Sequence, residues 1–236
     1  MQRYFAKNIN NEQVILNDED WHHIKNVMRM KNNDCIQLVY NNRLFDAYID
    51  DMNNKSIKIV KEIAQLNDIC PDICLIIPAL KEQKLDLILQ KGTEIGINSF
   101  IIVPFERSMV KYDERKEKVK LERWKKICKE ASEQSMRLDI PSVSIINNID
   151  FVEKIDGIKL ICSTNEKQYN VKCALKKVHD CDKITIVIGP EGGISNTEEA
   201  YYVSKGFRKV TLGSQIMRVE TVPIFLASVI KYELME

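Results

Sequence analysis

The stretch Ile184-Thr185-Ile186-Val187-Ile188-Gly189-Pro190-Glu191-Gly192-Gly193-Ile194-Ser195-Asn196-Thr197-Glu198 decides the fold. Its first five residues form an apolar run of strand length, the pattern of a central strand in a parallel sheet. Pro190 fixes φ, and the flanking glycines open conformations closed to other residues. Ser195-Asn196-Thr197-Glu198 has the pattern of a capping box, which starts a helix. Strand, sharp turn and helix make the repeating unit of an open α/β sheet, whose ligands sit at the carboxyl ends of the strands. Glycine is scarce elsewhere: the chain has 8 in 236 residues, none before Gly92, and five between 189 and 213. Such a cluster answers a local backbone need, either a tight strand-to-helix turn or bare peptide that a flat ligand can approach.

Outward from this unit the alternation continues. Strands are expected at 73–77, 99–103, 158–162 and 208–212, with a short one at 143–146. Between them fall helices at 81–95, burying Leu85, Ile88, Leu89 and Ile95 and stopped by Gly96, and at 115–135, with Val119, Trp124, Ile127, Cys128 and Ala131 on one face. Further helices are expected at 171–178, from Ser195 to Gly206, and at 220–234. This predicts an α/β domain over 73–236, a parallel sheet with helices on both faces. Residues 1–70 read differently. Period-two alternation at 35–40, 43–49 and 56–63 predicts strands, joined by turns at Asn41-Asn42 and Met52-Asn53-Asn54. A strand at 13–16 precedes one helix, capped at Asn17 and running through Trp21, Ile24, Val27 and Met28. The result is a small half-open barrel or sheet, with a linker at 67–72 that contains Pro71.

Hydrophobic residues at 44% and charged residues at 29% exclude low-complexity disorder and a disulfide miniprotein. No apolar run approaches the roughly 20 residues that cross a bilayer, and residues 1–7 lack the core of a signal peptide. The 7 cysteines are scattered and odd in number, which suits reduced thiols in a cytoplasmic protein. Cys70-x-x-x-Cys74 has no second pair at zinc-ligand spacing, so no metal is expected. The net charge of +1 announces no polyanion partner, yet residues 111–129 carry 9 Lys+Arg against 4 Asp+Glu. An anionic partner would be met locally.

Three strand ends carry unusual chemistry: Ser163-Thr164-Asn165-Glu166, Gly189-Pro190-Glu191-Gly192-Gly193, and Gly213-Ser214-Gln215-Ile216-Met217-Arg218-Val219-Glu220-Thr221. Neither G-x-G-x-x-G nor G-x-x-x-x-G-K-[ST] is present, and Glu191 stands where a phosphate loop would place a lysine. An uncharged or cationic ligand fits better than a polyphosphate.

Gly189-Pro190-Glu191-Gly192-Gly193 followed by Leu212-Gly213-x-x-Ile216-Met217-Arg218-x-Glu220-Thr221 resembles the RsmE group of SPOUT methyltransferases. The resemblance runs along the chain. It includes the Trp21–Lys31 segment, Gln90-Lys91-Gly92-Thr93-Glu94-Ile95-Gly96, Glu106-Arg107-Ser108, and Glu130-Ala131-Ser132-Glu133-Gln134-Ser135-x-Arg137. Met136, and Val222-Pro223 after Thr221, depart from the group's pattern; Pro223 in a first helical turn is tolerated. The resemblance implies a PUA-like RNA-binding domain over 1–70, a methyltransferase domain over 73–236 tied in a C-terminal trefoil knot, and a homodimer. It also implies S-adenosylmethionine as cofactor and methylation of a uridine at N3 in small-subunit (16S) ribosomal RNA. The cofactor would be bordered by Thr164, Gly189, Gly192, Gly193, Leu212, Gly213, Ile216 and Met217.

Losing the uridine N3 proton leaves an imide anion, which a cation aimed at O2 or O4 would stabilise. Arg218 is the first candidate, and Glu220 would orient it or accept the proton, unless the two form a helix-start ion pair. His23 and Arg29 on the N-terminal helix, together with Glu106, Arg107 and Arg137, are candidates for contact with RNA. Of the pair His22-His23, one is expected to be packed, and Trp124 to be core.

Overall fold

The computed structural model describes residues 1–10, 13–64, 71–112, 114–176, 178 and 183–233. Contacts divide the chain into two units, Met1–Asp68 with Lys129–Ile140, and Ile69–Cys128 with Pro141–Glu236. Positions 67–70 of the expected linker lie outside the described residues.

The first unit holds strands β1 (Gln2–Phe5), β2 (Asn8–Asn10), β3 (Gln13–Ile15), β4 (Cys35–Tyr40), β5 (Arg43–Asp51) and β6 (Ser56–Ile63). A four-stranded sheet has the order β1-β4-β5-β6, with β1 parallel to β4 and the other pairs antiparallel. β2 and β3 make a separate antiparallel pair. β1 and β2 are too short to show a period in sequence, and only pairing defines them. Asn41 and Asn42 have φ of 49° and 58°, the left-handed pair that closes a tight hairpin. Alternation brings Ile36, Leu38, Ala47, Ile49 and Ile57 to one core with Tyr4, Trp21 and Ile24. Helix α1 (Asp18–His22) does not continue as an α-helix. It passes into one π-helical turn, His23–Val27, after which Arg29 takes a φ of 53°. The wider turn breaks the expected apolar stripe: Ile24 is fully buried, whereas Val27 and Met28 are exposed.

The second unit alternates β7 (Asp72–Pro78), α2 (Glu82–Ile95), β8 (Ser99–Val103), α3 (Glu114–Gln134), β9 (Ser142–Ile145), β10 (Ile158–Cys162), α4 (Val171–Leu175), β11 (Lys183–Val187), α5 (Asn196–Ser204), β12 (Arg208–Val210) and α6 (Thr221–Glu233). Its six strands lie in the order β12-β10-β11-β7-β8-β9, every pair parallel. The central strands β7, β8 and β11 are apolar over most of their length because both faces are covered. Leu75, Ile77, Leu160 and Ile186 pack with Leu89 of α2, Trp124 of α3 and Leu226 of α6. Their neighbours Ile76, Ile161 and Val187 point the other way, to Tyr202 of α5 and to Phe207. Each such side chain contributes about 1.5–3 kcal/mol by leaving water. At its carboxyl end, α2 stops at Gly96, whose φ is 112°. Two expectations are corrected. α4 ends at Leu175, short of 178. Val119 is exposed, because five residues place it about 140° round the helix from Trp124. Trp124, Cys128 and Ala131, spaced four and three, are buried as expected.

Among the described residues, no helix is long and apolar enough to cross a membrane, and no three His, Cys, Asp or Glu side chains are grouped to hold a metal ion.

Candidate active site

β12, β10 and β11 are adjacent and parallel, so their carboxyl ends open at one edge of the sheet. The three unusual strand ends are therefore neighbours. Ser163 N donates to Val210 O (3.0 Å) and Ile188 N to Ile76 O (2.9 Å), which carries the ladder into the loops. Together they enclose a cleft of about 600 Å³.

Thr164, Gly189, Gly193, Leu212, Gly213, Ile216 and Met217 all line this cleft, and so does Arg218. Gly192 and Glu220 are not part of the lining. The glycines are required for different reasons. A Cβ on Gly189 would lie 2.4 Å from Ile194 Cγ1, so this position is bare to let the chain turn onto itself. At Gly192 a Cβ would lie 3.0 Å from Arg107 Cβ, and Arg107 Nη1 donates to the Gly192 carbonyl (3.3 Å). Gly193, at φ 76°, donates to Pro190 O (2.8 Å) and closes the turn. Gly213, at φ 122°, has nothing within 4 Å of the Cβ position. The tight-turn reading thus explains 189, 192 and 193, and among the glycines of the cleft loops Gly213 combines a left-handed backbone with open space. Ile216 is 85% exposed at the cleft, an apolar side chain without a protein neighbour to cover it.

The charges are arranged around the lining. The exposed Arg218 guanidinium has no hydrogen-bond or ion-pair partner among the described residues. Its carbonyl accepts from Thr221 N (2.9 Å) and Val222 N (3.2 Å), which starts α6. The Arg218–Glu220 pair considered from sequence is not formed: Glu220 Oε2 lies 3.4 Å from Lys84 Nζ. Lys84 Nζ also donates to Glu191 Oε1 at 2.9 Å. The hydrogen bond from Lys84 to Glu191 raises the lysine above its ordinary range. Burial pulls the Glu191 carboxyl up, but Lys84 and nearby backbone more than offset this, leaving it below the usual carboxylate range.

Glu199 of α5, 9% exposed, lies at the floor of the cleft. It accepts from Ser163 Oγ, and its other oxygen is 3.1 Å from Lys209 Nζ. Ser163 Oγ in turn accepts from Asn165 N (3.1 Å), so one buried carboxylate braces the first loop. Burial pushes the Cys162 thiol up to about 12, which keeps this cleft residue protonated at neutral pH. Sequence reasoning missed Lys84 and Glu199. Lys84 looks like any exposed helix lysine, and Glu199 like a first-turn acid beside the capping residue Glu198.

The remaining candidates lie away from the lining. Arg107 is tied to the glycine turn as described, and Glu106 N donates to Glu198 Oε1 at 2.7 Å. His23, Arg29 and Arg137 belong to the first unit. His23 Nδ1 is 3.0 Å from the Tyr4 hydroxyl, so His23 is the packed member of the pair and His22 the exposed one. Arg137 pairs with Asp139 at 2.8 Å, and Arg29 is exposed just past the π turn.

Family models match most of the chain: an RNA methyltransferase domain over residues 68–231 and an RNA methyltransferase PUA domain over residues 16–62. A ribosomal RNA small subunit methyltransferase E from Bacillus subtilis is 33% identical over 99% of this chain and 97% of its own length. One from Mesomycoplasma hyopneumoniae is 34% identical over 96% and 97%. The solved structure of a ribosomal RNA small subunit methyltransferase E from Neisseria gonorrhoeae, bound to S-adenosyl methionine, superposes with a TM-score of 0.86 at 29% identity, covering 98% of this chain and 97% of that one.

Proposed function

The chain belongs to the ribosomal RNA small subunit methyltransferase E family, and from that premise we propose that it transfers a methyl group from S-adenosylmethionine to N3 of a uridine in 16S ribosomal RNA. The observation that carries the proposal is the cleft itself: three neighbouring loops, largely bare of charge where they face inward, with one unengaged guanidinium at the edge.

The lining fits the cofactor. Its volume, about 600 Å³, falls in the range of small-molecule sites. Gly213 leaves the backbone open to a ligand, and Ile216 offers an uncovered apolar surface for a flat ring. Loop backbone at 163–165, 188–193 and 211–217 supplies donors and acceptors without fixed charge. When bound, S-adenosylmethionine supplies a methyl group on a positively charged sulfur.

The chain's own residues then have three tasks. The loops hold the cleft contents in line with the nucleobase, and such alignment lowers the barrier by several kcal/mol. Arg218, unpaired with any carboxylate among the described residues, faces the developing charge on the uridine oxygens and stabilises the imide anion. Glu220 is the proposed acceptor of the N3 proton; its partner is Lys84, not Arg218, so it does not serve to orient the guanidinium. In the first unit, His23, Arg29 and Arg137 are proposed to meet RNA, with Glu106 and Arg107 in the second. The same reading carries a homodimer, a C-terminal trefoil knot, a domain boundary between 70 and 73, and a cytoplasmic place of work.

Calorimetric titration with S-adenosylmethionine tests the cleft. Saturable binding is expected, weakened by its demethylated product as competitor. Silence at millimolar ligand would contradict the proposal and favour a dead methyltransferase fold that only binds RNA.

A further inference from the structure

One basic side chain at the cleft has an arrangement that the steps above leave unused. Lys84, in the first turn of α2, lines the cleft, and its ammonium is shared between Glu191 Oε1 (2.9 Å) and Glu220 Oε2 (3.4 Å). These three positions lie on separate elements: the start of α2, the glycine-rich turn after β11, and the residue before α6. The side chains are 32%, 36% and 15% exposed, so water reaches the bridge only in part. Glu220 Oε2 is buried and has no hydrogen-bond partner, which leaves Lys84 as the sole cation paired with it among the described residues.

A single exposed ion pair would contribute little. This bridge is different in kind, because two carboxylates face one ammonium. Without the ammonium, Glu191 and Glu220 would oppose each other as like charges in a partly buried place. We infer that Lys84 is a positioning residue of the cleft: by bridging Glu191 and Glu220 it locks the glycine-rich turn to the start of α6 and sets the width available to the methyl donor. The inference rests on the reading of the cleft as the S-adenosylmethionine site.

The test is calorimetric titration of S-adenosylmethionine into the wild type, Lys84→Met, Lys84→Arg and the double variant Lys84→Met/Glu191→Gln, each with its melting temperature. Lys84→Met is expected to weaken binding about tenfold or more, a loss of one or more factors of ten in Kd. Lys84→Arg keeps both carboxylates paired and is expected to stay within about threefold of the wild type. The double variant removes the repulsion and is expected to regain most of the lost affinity. A merely structural lysine would not be rescued by neutralising Glu191. Wild-type affinity in Lys84→Met overturns the inference, as does a double variant no better than the single one. A wild type that does not bind at all removes the underlying reading and marks that failure apart.

Discussion

Arg218 is exposed at the cleft with no neighbour to neutralise it among the described residues, whereas most charged side chains around it are paired. A guanidinium kept free in this way is available to a charge that exists only during reaction. Arg218→Ala is therefore expected to leave S-adenosylmethionine affinity within about tenfold while lowering turnover by about 10²–10³, the usual cost of losing one such electrostatic group. Single-turnover methyl transfer beside a binding titration checks this; equal turnover in the variant would remove Arg218 from the chemistry. The same scale shows what a residue's type conceals. Gly189 and Gly192 stand out in sequence as places a ligand could approach, yet their missing side chains make room for Ile194 and Arg107. Among the glycines of the cleft loops, Gly213 keeps open space beside it. Sequence marks where the backbone must be bare, not what comes close to it.

Helix α3 illustrates how an element carries more than its apolar stripe. Trp124 and Cys128 lie on the apolar face, and the next residue, Lys129, belongs to the first unit, between Asp20 and Glu133. Lys129 Nζ is 2.8 Å from Glu133 and is also hydrogen-bonded to Asp20; the three side chains are 19%, 10% and 6% exposed respectively. Burial pulls the Lys129 ammonium down, and the two carboxylates more than restore it, so it ends above the ordinary lysine range. Its stabilisation is thus intact at neutral pH and fades only as pH climbs past the ordinary lysine value. Glu133, pushed up by burial, acts in the opposite sense: keeping it ionised costs stability that returns as pH falls into the carboxylate range. Lys129→Met strands two buried carboxylates and is expected to destabilise the first unit by about 3–5 kcal/mol. Denaturant unfolding measures it, and a loss under about 1 kcal/mol would show the triad to be no more than a solvated pair. None of this was legible, because Asp20 reads as a first-turn acid and its partner lies more than a hundred residues away. The π turn after α1 was equally hidden, since its residues satisfy a helical period and only the exposure of Val27 and Met28 reveals the change.

At the scale of the whole molecule, local pattern carried far. Strands β8 and β10 lie where their apolar runs put them, β11 lies within one residue of its run, α5 begins beside the capping box that sequence offers, and α2 stops at the expected Gly96. The three chemically unusual strand ends were legible too, since each is a short run of residue types that strands and helices avoid. Their adjacency was not. It follows from the sheet order β12-β10-β11, which long-range pairing decides and no periodicity encodes. Lys84 and Glu199 escaped for the same reason: each becomes significant only when distant segments meet. On the proposed function, this convergence delivers a methyl group to one atom of one base. The direct measurement incubates the purified protein with small-subunit ribosomal RNA and S-adenosylmethionine bearing a deuterated methyl group, then digests the RNA and identifies the labelled nucleoside by mass spectrometry. Labelled 3-methyluridine is expected. Label at a base carbon or a ribose 2′-oxygen, or an unlabelled digest from protein that binds the cofactor, would contradict it.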